Sequence, residues 1–230
     1  GLSARTEIPE WVPVFTAMTL MYAVAFFSVA AEWFWGRWFA IGLGQWGITM
    51  MIMAWVTTRS LPTPMIVFGV MHALVSLCLG GEKMAAIFDA KPQWRARFKL
   101  DEQGVIRVRK SVTRAASSLP ALIMFALAPR EGQELLALTA FTLALVGVGG
   151  ILAGRTLGVL AFVGGAAATV ALVVVGHTPD AVLAVYQYAP FGADGGAALT
   201  PMLGVLAAVL LGAAALPFAK PMAAYVLRRR

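Results

Sequence analysis

The sequence predicts an all-α integral membrane protein, a bundle of about seven transmembrane helices. Hydrophobic residues make up 60% of the 230 residues and charged residues only 13%, against ~45–50% and ~25% in soluble domains. The apolar residues form seven runs close to the ~17–25 residues that cross a ~30 Å hydrocarbon layer. These runs are unbroken, whereas barrel strands would alternate over ~10 residues. Because lipid offers no partner for backbone polar groups, the runs must be helices.

The same composition excludes several other classes of protein. Intrinsic disorder requires low hydrophobicity, and a disulfide scaffold requires more than the single Cys78. A net charge of +7 could suggest nucleic acid. The charges lie in loops between apolar runs, however, so we predict no nucleic-acid partner. In a membrane protein such an excess is typical of cytoplasmic loops that face anionic head groups.

In chain order, the predicted spans are 11–31, 38–56, 62–80, 115–129, 135–154, 156–176 and 201–219. The fourth span is short and contains Pro120. It either begins inside the preceding basic stretch, near Ser111, or is a broken or re-entrant segment, which would leave six crossings. Too few residues lie outside the spans for a separate soluble domain, so we expect a single polytopic membrane domain.

The distribution of lysine and arginine predicts the orientation. With an external amino terminus and seven crossings, all but three of the 18 Lys and Arg residues face the cytosol, as the positive-inside rule requires. The three that face outside are Arg5, Arg59 and Arg130. Removing the fourth crossing would carry Arg155, Lys220 and residues 228–230 to the outside. We therefore expect a cytoplasmic carboxyl terminus, with a bacterial inner membrane as the setting on general grounds.

The largest segment outside the spans, 81–114, is predicted to be a basic cytoplasmic loop. Within it, residues 97–110 alternate apolar and basic side chains around the turn-like 101–104, which predicts a β-hairpin. The basic face would consist of Arg97, Lys99, Arg107 and Arg109. One interpretation is a flap that contacts anionic lipid head groups or a partner, at ~1 kcal/mol for each charge. The other, which we favour, is a solvated loop that only fixes topology.

Four polar residues in or beside the spans are candidates for a ligand site or a pathway: Glu32, Arg37, Gln45 and His72. Glu32 and Arg37 either form a buried ion pair at a cavity mouth or are interfacial residues in a tryptophan belt whose charged ends reach water, and we favour the second. Gln45 suits a hydrogen bond between helices. His72 suits the same role, or that of a single haem or pigment ligand or a proton relay.

The sequence contains no pattern that predicts catalysis or a cofactor. A metal site at His72 is not predicted, because Cys78 lies six residues away and off the same helical face. We also find no nucleophile turn, no H-E-x-x-H pair and no phosphate-binding glycine loop. We accordingly predict no catalytic residue, metal or cofactor.

Small residues four apart predict close contact between helices in the carboxyl half. They are Gly150 and Gly154 on the fifth span, Gly164 and Ala168 on the sixth, and Gly204, Ala208 and Gly212 on the seventh. Such spacing lets helix backbones approach where no hydrophobic effect operates.

Taken together, these features favour a non-catalytic membrane component. It would be either a subunit that packs against other membrane proteins or its own copies, or a binder of a lipid-like, apolar ligand. Its expected partners include membrane lipids, especially anionic head groups at the cytoplasmic face. A small channel or transporter is the first alternative, and an enzyme acting on lipids at the inner face is the second.

Overall fold

A computed structural model describes residues 12–59, 61, 63–89, 92–98, 100–128, 132–175 and 192–227. All regular structure in these ranges is helical. The helices are α1 (Val12–Ala30), α2 (Gly36–Thr58), α3 (Thr63–Gly80), α4 (Glu82–Asp89), α5 (Pro92–Phe98), α6 (Glu102–Ala126), α7 (Glu134–Leu152), α8 (Leu157–Val175) and α9 (Gly192–Leu227). Six of them, α1, α2, α3, α7, α8 and α9, are long and apolar enough to cross a membrane. The prediction of an all-α, multi-pass membrane protein is confirmed to that extent.

The predicted hairpin at 97–110 is wrong, because α5 ends at Phe98 and α6 begins at Glu102. The residues interpreted as a turn are a helix start. The Asp101 side chain accepts a hydrogen bond from the Gly104 backbone N–H at 2.6 Å, and Glu102 lies in the first turn. Aspartate suits both a turn and an N-cap. Because the segment is helical, Val105, Val108 and Val112 are buried together on one face.

The fourth predicted run, 115–129, is not a separate element but the carboxyl half of α6. This 25-residue helix is ~37 Å long at 1.5 Å per residue. Its amino half carries the basic residues, and its carboxyl half is almost wholly buried from Ala115 to Ala126. Because α6 packs against α2, α7 and α9, it forms the centre of the bundle. The outer helices present exposed apolar side chains such as Phe26, Leu77 and Val174, as lipid contact requires.

The seventh predicted span, 201–219, is part of a longer helix of 36 residues, α9, which contains Pro201, Pro217 and Pro221. Proline removes a backbone donor and leaves the carbonyl four residues earlier without its helical partner. For Pro217 that carbonyl is Ala213, and the guanidinium of Arg114 donates to it at 2.8 Å. A side chain of α6 therefore supports α9 where the proline interrupts its hydrogen bonds.

Some predicted small residues mediate close contact. A Cβ atom on Gly150 would lie 2.6 Å from the Cα of Gly158, so the backbones of α7 and α8 touch there. A Cβ on Gly204 would lie 2.7 Å from the ring of Phe125 on α6. Ala208 is buried, whereas the Gly212 position is looser, with its nearest neighbour at 3.9 Å.

Gly154 does not belong to the predicted packing stripe. It follows the end of α7 with φ +68°, a left-handed conformation that favours glycine. The backbone N–H groups of Gly154 and Arg155 donate to the carbonyls of Ile151 and Gly150, at 3.0 and 2.8 Å. This is a Schellman motif, which ends the helix by satisfying its last carbonyls.

One end of the bundle gathers most of the described basic residues, and we call it the basic end. It comprises the ends of α1, α3, α7 and α9, the starts of α2, α6 and α8, and the short helices α4 and α5.

Aromatic rings hold α5 against the turn between α1 and α2. Phe34 and Trp94 stack with centroids 4.4 Å apart and planes 14° apart, and Trp94 also meets Trp38 edge to face.

Candidate functional site

A cavity of about 350 Å³ lies at the basic end, between α2, the end of α3 and the start of α6. Its walls carry four cationic side chains, Arg37, Arg109, Lys110 and Arg114. We call this cavity the basic pocket. The remaining lining residues are Trp38, Ile41, Gln45, Gly80 and Thr113.

Helical spacing explains why these side chains converge. Arg37, Ile41 and Gln45 are four residues apart on α2, so they share one face. On α6, Lys110, Thr113 and Arg114 are three and four residues apart and share the facing surface. The helices are held together there by hydrogen bonds, because the Thr113 hydroxyl lies 3.3 Å from the Trp38 carbonyl oxygen.

Arg37 is the most connected residue of the basic pocket and is only 4% exposed. Its Nη1 lies 3.0 Å from Oδ2 of Asp89. Its Nε and Nη2 donate to the carbonyls of Leu79 and Gly80, at 2.6 and 3.2 Å. The last carbonyls of a helix have no partner within it and favour a nearby cation. Arg37 therefore links α2, α3 and α4.

Asp89 is the acidic residue that sequence reasoning missed. Arg37 bonds one carboxylate oxygen, and the indole N–H of Trp38 donates to the other at 2.9 Å. Burial raises the pKa of the Asp89 carboxyl above its ordinary value, although the charges of Arg37 and Arg109 and the bond from Trp38 lower it. Glu32, the partner that the sequence offered as one alternative, is exposed, whereas Arg37 is buried rather than reaching water at the interface as we favoured. No sequence signal links Asp89 to Arg37, because 52 positions separate them.

Arg109 and Lys110 supply the accessible charge of the basic pocket, since both side chains are exposed. Arg114 is anchored by its bond to Ala213. Gln45 lies beyond them on α2, with its Oε1 3.2 Å from the Ser117 hydroxyl of α6. The pocket thus combines two anchored guanidinium groups with two accessible cations, an arrangement that suits an anion.

Of the predicted head-group contacts that the structure describes, Arg97, Arg107 and Arg109, only Arg109 lines the basic pocket. Arg97 is exposed on α5, with its guanidinium carbon 5.8 Å from the Phe98 ring centroid. Arg107 lies 3.6 Å from the carboxylate of Asp101. Lys99 lies outside the described residues.

His72 occupies a second cavity, of about 450 Å³ and mainly apolar, between α1, α2 and α3. Its Nδ1 lies 2.8 Å from the Phe68 carbonyl, so this nitrogen donates. Its Nε2 then accepts from the Tyr22 hydroxyl at 2.9 Å. Both ring nitrogens are engaged, and the ring packs directly against Gly47 of α2. The structure therefore places His72 in a bond between helices.

Gln45 and His72 line different cavities, on opposite faces of α2. A metal centre also lacks support in the described part of the chain, where no three His, Cys, Asp or Glu side chains come close enough to hold an ion. The basic pocket, where four cationic side chains converge, is therefore our candidate functional site.

Comparison with protein-family models, with curated proteins and with solved structures found no match for this chain. Its function is accordingly argued from the chemistry of the basic pocket. That chemistry is a concentration of positive charge at the ends of apolar helices.

Proposed function

We propose that this chain is a non-catalytic, multi-pass membrane protein that binds the head group of an anionic lipid in the basic pocket. The observation that carries the proposal is the convergence of Arg37, Arg109, Lys110 and Arg114 on one cavity between helices. Basic pockets between transmembrane helices on the cytoplasmic side bind anionic head groups. We place the basic end at that side, with a bacterial inner membrane as the proposed setting.

The proposed topology has seven crossings and an external amino terminus. The unbroken 25-residue α6 supports a full crossing rather than a re-entrant segment. Its length of ~37 Å includes the basic amino half, so α6 is not among the six helices that are apolar enough to cross by composition alone. With α6 as a crossing, Arg155 and Lys220 stay on the same side as Lys83 and the basic pocket. This arrangement satisfies the positive-inside rule.

The position of the basic pocket favours a lipid over a soluble anion. It adjoins the end of α3, whose outer face exposes Leu74 and Leu77, 48% and 73% accessible. Acyl chains can cover such a face while their head group enters the pocket.

The alternative functions have less support. A channel or transporter would need polar residues such as Gln45 and His72 to face one hydrated pathway, and these two line separate cavities. An enzyme acting on lipids would need polar groups that converge near Glu32, Arg37 and the basic loop. Arg37, Arg109 and Lys110 do converge, but no carboxylate of the described residues lines the basic pocket with them.

Lipid binding can be tested with purified protein in detergent, titrated with phosphatidylglycerol and followed by native mass spectrometry. We expect the double variant Arg109→Gln/Lys110→Gln to bind about 30-fold more weakly, because each cation contributes ~1 kcal/mol. Both side chains are exposed, so the variant should fold normally.

The matched control is Lys83→Gln, which removes an exposed cation on α4 that does not line the basic pocket. This variant should bind as the unmodified protein does. Equal losses in the control and the double variant would show a general surface-charge effect and would refute a pocket.

A further inference from the structure

We infer that the basic pocket selects a lipid whose phosphate is terminal and carries two or more negative charges, a phosphomonoester or diphosphate, over a phosphodiester lipid with one charge. This inference rests on the proposed function and specifies its ligand. It follows from the charge, the donors and the anchoring of the pocket's own side chains.

The charge balance of the basic pocket favours a multiply charged ligand. Four cationic side chains line the cavity. One of them, Arg37, is paired with the carboxylate of Asp89. A head group with a single charge would leave most of the positive charge uncompensated. A phosphomonoester carries about −1.5 to −2 at pH 7, and its oxygens are all acceptors.

The hydrogen-bonding groups of the pocket point to the same ligand. Two side-chain acceptors in or beside the cavity are already engaged: the Asp89 oxygens accept from Arg37 and Trp38, and Gln45 Oε1 accepts from the Ser117 hydroxyl. Donors remain in excess, because a guanidinium has five N–H groups and Arg114 uses one of them on Ala213. A terminal phosphate offers three acceptor oxygens, whereas a phosphodiester offers two. An ammonium head group would bring further donors and a further positive charge to a site already lined by four cations.

Two of the four cations are fixed before any ligand arrives. Arg37 is held by Asp89 and by the carbonyls that end α3, and Arg114 is held by α9. Charges that are already positioned lose less conformational entropy on binding. Arg109 and Lys110 are exposed and can close on the phosphate from outside.

The test compares three lipids with the same acyl chains but rising head-group charge: phosphatidylglycerol, phosphatidic acid and diacylglycerol diphosphate. Affinity for the purified protein is measured by native mass spectrometry. We expect at least a fivefold gain with each step, which Arg109→Gln/Lys110→Gln abolishes and Lys83→Gln retains. Equal affinity for the three lipids, lost in the double variant, would overturn the selectivity but leave the lipid site standing.

A second arm distinguishes a lipid from a soluble phosphate. Inorganic diphosphate, added at the lipid concentrations, should bind at least tenfold more weakly than the diphosphate lipid, since it lacks acyl chains. Diphosphate binding as tight as that of the lipid, with the same dependence on Arg109 and Lys110, would identify a soluble ligand. It would overturn both this inference and the proposed function.

Discussion

Arg37 shows how one side chain can organise the basic end of the bundle. It pairs with Asp89, caps the carbonyl end of α3 and lines the basic pocket. Burying an arginine is costly unless its donors are satisfied, and bonds to three groups on two other helices meet that need. The same bonds fix a positive charge in the wall of the cavity.

Replacing Arg37 by glutamine should reduce the free energy of unfolding by about 3–5 kcal/mol, because Asp89 then stays buried without its cation. The double variant Arg37→Gln/Asp89→Asn should recover part of this loss. Equilibrium unfolding in mixed detergent micelles measures both. A double variant no more stable than Arg37→Gln would contradict a buried ion pair.

The loss in Arg37→Gln should also depend on pH. Burial already raises the pKa of Asp89, and removing Arg37 removes a cause that lowers it. With the folded pKa above the ordinary value of about 3.9, the folded variant binds more protons than the unfolded chain. Its stability is therefore greatest at low pH and falls as the pH rises through the folded pKa. The deficit against the unmodified protein should therefore shrink as the pH is lowered from 8 toward the ordinary pKa of aspartate.

Sequence reasoning identified some residues of the basic pocket and not others. Arg37 and Gln45 were candidates because a charged or amide side chain in or near a span costs free energy to place there. Arg109 was a candidate only as part of the basic face of the expected hairpin. Lys110 and Arg114 were missed because they share a face only if 102–126 is helical, and a hairpin was expected at 97–110. Arg37 pairs with Asp89 because of where α4 packs in the bundle, and the local sequence does not predict that packing.

The helix α9 shows why the residue at which a helix ends was harder to predict than the presence of the helix. Its predicted end at residue 219 lies just before Lys220 and Pro221, which usually signal a helix end. The helix continues to Leu227. At least one carbonyl freed by its prolines, that of Ala213, is satisfied by Arg114 from a neighbouring helix. Because this hydrogen bond depends on how α6 packs against α9, no local sequence pattern predicts it.

The contact between α7 and α8 can be tested with two adjacent glycines. Gly150→Ala should lower the free energy of unfolding by about 1–3 kcal/mol, because the new Cβ would meet the Gly158 backbone. Gly149→Ala, with nothing within 4 Å of its Cβ, should be neutral or stabilising by up to about 1 kcal/mol, since alanine favours helix. Equal effects of the two substitutions in detergent unfolding would exclude a close contact at Gly150.

For the molecule as a whole, composition and the length of the apolar runs were sufficient to predict an all-α protein with many apolar helices. The reason is that a segment in lipid must be apolar and must satisfy its own backbone hydrogen bonds, as a helix does. The seven apolar runs correspond to α1–α3 and α6–α9. What the sequence could not provide was the centre of the bundle. The most buried helix, α6, is also one of the most basic, and no count of apolar residues reveals that combination.

The account depends on the basic end facing the cytosol and on α6 crossing the membrane. Single cysteines can be placed at the exposed residues Lys83, Glu134 and Arg155 in a Cys78→Ala background and treated with an impermeant maleimide in right-side-out vesicles. We predict that only Glu134→Cys is labelled, while Lys83→Cys and Arg155→Cys react after permeabilisation alone. Labelling of Lys83→Cys in sealed vesicles, or protection of Glu134→Cys together with labelling of Arg155→Cys, would contradict the account.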